Sequence, residues 1–277
     1  NGLKVVVLPT QYKQDQIIMK LDLEGGQTLI STEDMPSFEE NIWGLYQMNT
    51  GVSKFSASTL RKMLAGKQVS VAPYIDAFNQ GIQAVTTPKD LETALQLAYL
   101  YFADPRFDEA EYETGIQQIK ALLPNLMTNP DFLFQNELNK TIYDNNPRQI
   151  VLTAETLEKA NLATIERVYR ELFKDVAGAT LTVTGNVDLA TFKPLVEKYM
   201  GSLAKGKKAS KINEANMINR AEGKIENIVR LDLATPKSTV YQVYTAYMPV
   251  DTKTEVVLSA ASYVLDMVYT KTLREEE

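Results

Sequence analysis

Polar and apolar positions alternate in two ways along this chain. Period-two runs read as strands at residues 3–8 and 16–23, around a polar turn, and at 69–75 and 81–86, joined at Asp76-Ala77-Phe78-Asn79. Ala179-Thr180-Leu181-Thr182-Val183-Thr184 is a further strand. Helical periodicity fills the intervals. Ser37 is the expected cap of a helix over 38–49, with Glu39 and Glu40 in its first turn. Ser56 opens a helix that ends at Gly66, and Thr87-Pro88 opens a long one through about Phe102. Asp108 with Glu111 resembles a capping box, and Thr153 and Asp188 cap two more helices, the second ending at Gly201. Short-turn strand pairs argue for antiparallel pairing with helices gathered on one face, an α+β fold rather than a doubly wound parallel sheet.

Periodicity weakens between Ala204 and Glu222, where Lys205, Gly206, Lys207, Lys208, Ser210 and Lys211 precede mixed polar residues. Residues 1–204 are therefore expected to form one domain, 205–222 a linker and 223–277 part of a second α+β domain. The glycines lack phosphate-loop spacing, so a solvated connection is favoured over an anion site. After the linker the order strand, strand, helix returns at 228–234, 239–248 and about 253–274, which suggests a duplicated fold. The chain closes on Leu273-Arg274-Glu275-Glu276-Glu277 inside a helical pattern, with acids where the helix dipole prefers bases. It reads as a fragment of a longer polypeptide.

Composition then narrows the chemistry. The 277 residues contain no histidine and no cysteine. A zinc site of the usual ligands, a Ser-His or Cys-His nucleophile, a disulfide and an iron–sulfur cluster are all excluded within the chain. Carboxylates, lysine and tyrosine remain. A formal charge of −6 argues against nucleic acid and anionic membrane as main partners. No apolar run approaches the roughly 18 residues of a membrane span. Neither G-x-G-x-x-G, G-x-x-x-x-G-K-[ST] nor a calcium loop is present. The acidic cluster Asp108-Glu109-Ala110-Glu111 sits at a helix start, where capping explains it better than metal binding. Leu95, Tyr99 and Phe102 share one helical stripe and, like the sole tryptophan Trp43 with Ile42 and Tyr46, are expected in the core.

Several segments, in order, resemble the insulinase/pitrilysin family of zinc metallopeptidases, and most closely the carboxyl-terminal half of its bacterial single-chain members. They are Asn1-Gly2-Leu3-Lys4-Val5-Val6, Thr50-Gly51-Val52-Ser53-Lys54-Phe55-Ser56 through Val71, and Pro88-Lys89-Asp90-Leu91-Glu92 with Pro105-Arg106-Phe107-Asp108. Val183-Thr184-Gly185-Asn186-Val187-Asp188 and Leu273-Arg274-Glu275-Glu276 complete the set.

The resemblance implies a LuxS/MPP-like α+β domain followed by the start of a second, similar one. Such domains build a chamber around a peptide. It also implies that an H-x-x-E-H zinc motif would fall near Ile42-Trp43-Gly44-Leu45-Tyr46, where none of the required residue types stands. The downstream ligand region, Gln118 to Leu122, holds no carboxylate, the nearest being Glu113. The expectation is a metal-free, inactive half whose zinc and general-base Glu lie in an amino-terminal half outside this chain. Its partners would be that catalytic half and a peptide substrate, with no nucleic acid and no membrane insertion, in the periplasm or cell envelope. By the same resemblance Arg274 matches an Arg that binds substrate and stabilises the oxyanion, its partner Tyr lying past Glu277. Read from the residues alone, Arg274 is a solvated base in a final turn. The alternative function is that of a non-proteolytic scaffold subunit.

Overall fold

Ile17, Met19, Leu21 and Leu23 are buried, while Ile18, Lys20, Asp22 and Glu24 turn to the opposite face, and this alternation makes β2 (Ile17–Glu24). The structure is a computed structural model that describes residues 1–231, 237–246, 248–249 and 251–275, the side chains of 274 and 275 excepted. It divides into two units, Asn1–Leu231 and Asp232–Glu277.

In the first unit β2 is the middle strand of a five-stranded sheet. Its companions are β1 (Lys4–Pro9), β3 (Val69–Ile75), β4 (Asn79–Thr86) and β5 (Thr180–Gly185), in the order β1-β5-β2-β4-β3. The β3–β4, β4–β2 and β2–β5 pairings are antiparallel, and of these β3–β4 is the short-turn pair expected from sequence. The β1–β5 pairing is parallel. Strands β1 and β2, adjacent in sequence, do not pair, because β5 lies between them with Leu181 and Val183 on the core side. The intervening turn is pinned to the end of β5 instead. Asn186 donates from its backbone N–H to the Gln16 carbonyl at 3.0 Å and from Nδ2 to that of Gln14 at 2.7 Å.

Helix α3 (Leu91–Ala103) packs on β3 and β4, burying Leu91, Ala94, Leu95, Ala98 and Phe102 in the main core. Beside it lies α8 (Leu189–Tyr199), which opens at Asp188 as predicted: the carboxylate accepts the Ala190 and Thr191 N–H groups, each at 3.2 Å. Thr87 Oγ1 accepts the Asp90 N–H at 3.3 Å, so a 3₁₀ turn (Pro88–Asp90) leads into α3. Ser56 caps α2 (Ala57–Met63), and Gly66, at φ +81, sits in the turn beyond. Helix α4 (Glu109–Met127) starts at Asp108, whose Oδ1 accepts the Glu111 N–H at 3.0 Å. The capping box closes on one side only: the Glu111 carboxylate is engaged by Arg106 Nε at 3.2 Å.

Two helix starts differ from expectation. The helix predicted over 38–49 is α1 (Glu40–Thr50), and its cap is Glu39, whose Oε2 accepts the Asn41 and Ile42 N–H groups at 2.9 and 3.2 Å. A 3₁₀ turn over Met35–Phe38, with Pro36 near its start, places Ser37 inside, 1% exposed, where its Oγ accepts the Asn161 N–H at 3.2 Å. The helix beginning at Thr153 is two: α6 (Ala154–Lys159) and α7 (Leu162–Leu172), because Asn161 provides a fresh cap, its Oδ1 accepting the Thr164 N–H at 2.8 Å. Helix α5 (Pro130–Ile142) has no counterpart in the sequence reading. It buries no residue, so no apolar stripe announced it.

The second unit contains α9 (Thr252–Thr270), capped by Asp251 through the Thr254 N–H at 2.8 Å, and a π-helical turn, Lys271–Glu275. Of the strands expected at 228–234 and 239–248, the described residues 228–231, 239–246 and 248 form none; residues 232–236 and 247 lie outside the described set. Alternation yields a strand only where a neighbour completes the ladder and a core takes one face. Helix α9 has no buried residue, so no such core exists among the described residues of this unit.

Candidate functional site

Helix α1 occupies the place that the resemblance assigns to zinc. Its N-terminal donors are held by the Glu39 carboxylate, which is 7% exposed and whose pKa is raised, chiefly by burial. From that start, Ile42, Trp43 and Tyr46 fall on one stripe and are 1%, 8% and 5% exposed. The stripe packs on α4, whose inward positions Tyr112, Gly115, Ile116 and Ile119 follow the same helical spacing. Glu113, the nearest carboxylate to the expected third-ligand position, points to solvent, as does Gln118.

What fills the position is an aromatic cluster assembled from distant segments. The Trp43 ring lies 5.5 Å from Phe38, 6.2 Å from Tyr46 and 6.1 Å from Tyr169. Tyr46 stacks on Phe107 at 6.3 Å and meets Tyr112 edge-on at 6.3 Å, while Tyr169 stacks on Phe173 at 4.2 Å. Two hydroxyls anchor it: Tyr46 Oη donates to the Arg106 carbonyl and Tyr169 Oη to that of Tyr101, each at 2.7 Å. Burial raises the pKa of both phenols and pushes that of Tyr112 up to about 12. Such phenols stay protonated near neutral pH, so they serve neither as bases nor as anionic ligands. Among the described residues no group of three or more Asp and Glu side chains is placed to hold a metal ion. The position that the resemblance assigns to zinc is a packed core.

Sequence reading placed Trp43, Ile42 and Tyr46 in the core correctly, but not their partners Tyr112 and Tyr169. It also gave no sign of Arg148, 6% exposed, whose Nη2 donates to the Gln27 carbonyl at 2.7 Å and Nη1 to Thr32 Oγ1 at 3.1 Å. Burial lowers its pKa, and its Nε has no protein partner. Arg274 lies in the π-helical turn, and its side chain is outside the described residues.

This fold, with the expected ligand positions of α1 packed into the core, resembles a non-catalytic domain of the zinc metallopeptidases. The family model described as the peptidase M16 inactive domain matches residues 159–277, which bears out the kinship expected from sequence. Among curated proteins, the chain is 21% identical over 208 residues to the "probable zinc protease PqqL" of Haemophilus influenzae, covering 73% of this chain and 22% of that protein. It is 24% identical over 207 residues to a PQQL-like zinc protease of Arabidopsis thaliana, covering 74% and 19% respectively. The chain thus spans about a fifth of the length of these relatives.

Among solved structures, the periplasmic protease PqqL of Escherichia coli superposes with a TM-score of 0.63 at 16% identity, over 79% of this chain and 24% of that one. A peptidase M16 inactive domain from Pseudomonas fluorescens gives 0.58 at 16% identity, over 76% and 51%. At such identities these likenesses establish the fold.

Proposed function

We propose that this chain is the non-catalytic, chamber-forming half of a zinc metalloendopeptidase that acts on peptides or small proteins. Residues 1–204 are its first peptidase-like domain, and residues from 223 onward open a second. Zinc and the general-base Glu belong to an amino-terminal half of the same polypeptide, which is also its partner. Arg274 reaches the substrate there and stabilises the oxyanion. The likeness to periplasmic PqqL supports the periplasm or cell envelope of a bacterium as its compartment. One observation carries the reading: the family's metal-bearing helix is kept, but Ile42, Trp43 and Tyr46 turn its ligand stripe into core.

The test is zinc content and peptidase activity of residues 1–277 alone and of the intact protein. The isolated chain is expected to hold no stoichiometric zinc and to cleave no unstructured peptide, whereas the intact protein does both. In the intact protein Arg274→Ala lowers kcat/KM at least about tenfold with zinc content unchanged. Chelator-sensitive cleavage by the isolated chain refutes the assignment. An intact protein without zinc or cleavage makes this a scaffold subunit instead.

A further inference from the structure

The segment expected as a solvated linker lies against the rest of the first unit along most of its length. We propose that residues 205–227 form a detachable strap, with Glu24 as its clasp. The proposal is independent of any metal chemistry.

Glu24 ends β2 and engages three consecutive strap residues. Ser210 Oγ donates to its backbone carbonyl at 2.5 Å, Lys211 Nζ meets Oε2 at 2.7 Å, and the Ile212 N–H reaches Oε1 at 3.4 Å. Thr28, in the adjoining 3₁₀ turn (Gly26–Leu29), takes the next two contacts. Its Oγ1 accepts the Asn213 N–H at 3.0 Å, and its carbonyl accepts Asn216 Nδ2 at 2.8 Å.

Further along, the strap meets the C-terminal end of α5, where helical carbonyls lack partners within the helix. The Ala221 N–H donates to the Ile142 carbonyl at 2.7 Å, Asn227 Nδ2 to Thr141 Oγ1 at 2.7 Å, and the Arg220 guanidinium lies 5.6 Å from the Tyr143 ring centre. The approach at the strap's start is close: a Cβ on Gly178 would strike Ala209, and one on Gly206 the Asp175 carboxylate.

Hydrogen bonds and one ion pair hold the strap, because no residue from 205 to 227 is buried. A segment held by part-buried and exposed hydrogen bonds, with no buried apolar side chain of its own, opens at lower cost than the core. Lys205, Lys207, Lys208 and Lys211 make its first part basic in a chain of net charge −6, which favours docking on an acidic clasp. While docked, the strap holds residues 205–227 against the rest of the first unit. Released, those residues add an r.m.s. reach on the order of 25 Å to the tether of whatever follows. Control of tether length is the function assigned to Glu24.

Hydrogen exchange and limited trypsin digestion of the full chain test this. In the wild type the Ile212, Asn213 and Ala221 amides are expected to exchange at least about tenfold slower than in an unstructured peptide. Glu24→Ala removes that protection at 212 and 213 and speeds cleavage after Lys205, Lys207 and Lys208 at least about threefold. Protection of the Met19 and Leu21 amides stays unchanged, which reports an intact sheet. Asn216→Ala, at the second anchor, gives the same direction in a variant that leaves β2 untouched. Wild-type exchange at unstructured rates overturns the proposal, as does an unchanged strap in both variants.

Discussion

The indole of Trp43 on α1 stands 6.1 Å from the phenol ring of Tyr169 on α7, ring centre to ring centre, 44° out of parallel. The pair joins two helices more than a hundred residues apart in sequence, at the position where the sequence resemblance expects a zinc motif. Trp43→Ala removes the hub of three ring contacts and leaves a cavity that Phe38, Tyr46 and Tyr169 only partly close. The expected loss is about 3–5 kcal/mol of unfolding free energy. Urea denaturation followed by far-ultraviolet circular dichroism measures it, since the only tryptophan is the residue removed.

Rebuilding the ligand motif does not rebuild the centre. In a triple variant, Ile42→His, Leu45→Glu and Tyr46→His, two imidazoles and a carboxylate replace packed side chains, while the face of α4 opposite still offers Tyr112, Gly115, Ile116 and Ile119. No third protein ligand is at hand, and the new polar groups are buried without partners. The variant is expected to melt well below the wild type and to retain no stoichiometric zinc after dialysis. Metal analysis with a thermal scan decides it, and a zinc-dependent rise in Tm contradicts this account.

Legibility in the sequence followed locality. The alternation at Ile17–Leu23, the Asp188 cap and the apolar stripe of α3 are properties of a few neighbouring residues, and each was readable. The insertion of β5 between β1 and β2 was not, because the choice of neighbour depends on a strand that arrives late in the chain. Ser37 has the residue type of a cap, but the 3₁₀ turn that contains Pro36 buries it and leaves the capping to Glu39. At the candidate site the absence of ligands is plain from residues 42–46, whereas the aromatic cluster found there comes from three separated segments, 38–46, 107–112 and 169–173. The strap was invisible for a related reason: its partners Glu24, Thr28 and Ile142 carry no pattern that marks them as anchors.

Arg148 supplies a third measurement. Its guanidinium spans the Gln27 carbonyl and Thr32 Oγ1, with Met35 Sδ at 3.6 Å, and so ties two 3₁₀ turns to the segment before α6. No carboxylate is bonded to it in these contacts, so the fork geometry rather than charge pairing matters. Arg148→Lys cannot span both acceptors and is expected to lose about 1–3 kcal/mol, close to the loss for Arg148→Met. Chemical denaturation of the two variants checks this; full stability of the lysine form would mean that charge alone suffices.

The clasp has a defined pH dependence. The hydrogen bond from Lys211, together with the Ile212 N–H, lowers the Glu24 pKa below its ordinary value of 4.5. A carboxylate with a depressed folded-state pKa contributes its stabilisation above the undocked pKa and loses it as pH falls through the docked one. The strap is therefore expected to stay docked at neutral pH and to release only below about 4.5, in the range where Glu24 takes up its proton. The Ile212 amide resonance reports this directly, because its acceptor is the titrating group. It should move with a midpoint below 4.5 in the wild type, shift to a higher midpoint in Lys211→Met, and lose this transition in Glu24→Gln. A midpoint at or above the ordinary value in the wild type would mean that Glu24 gains nothing from the strap, and the contact would then be incidental.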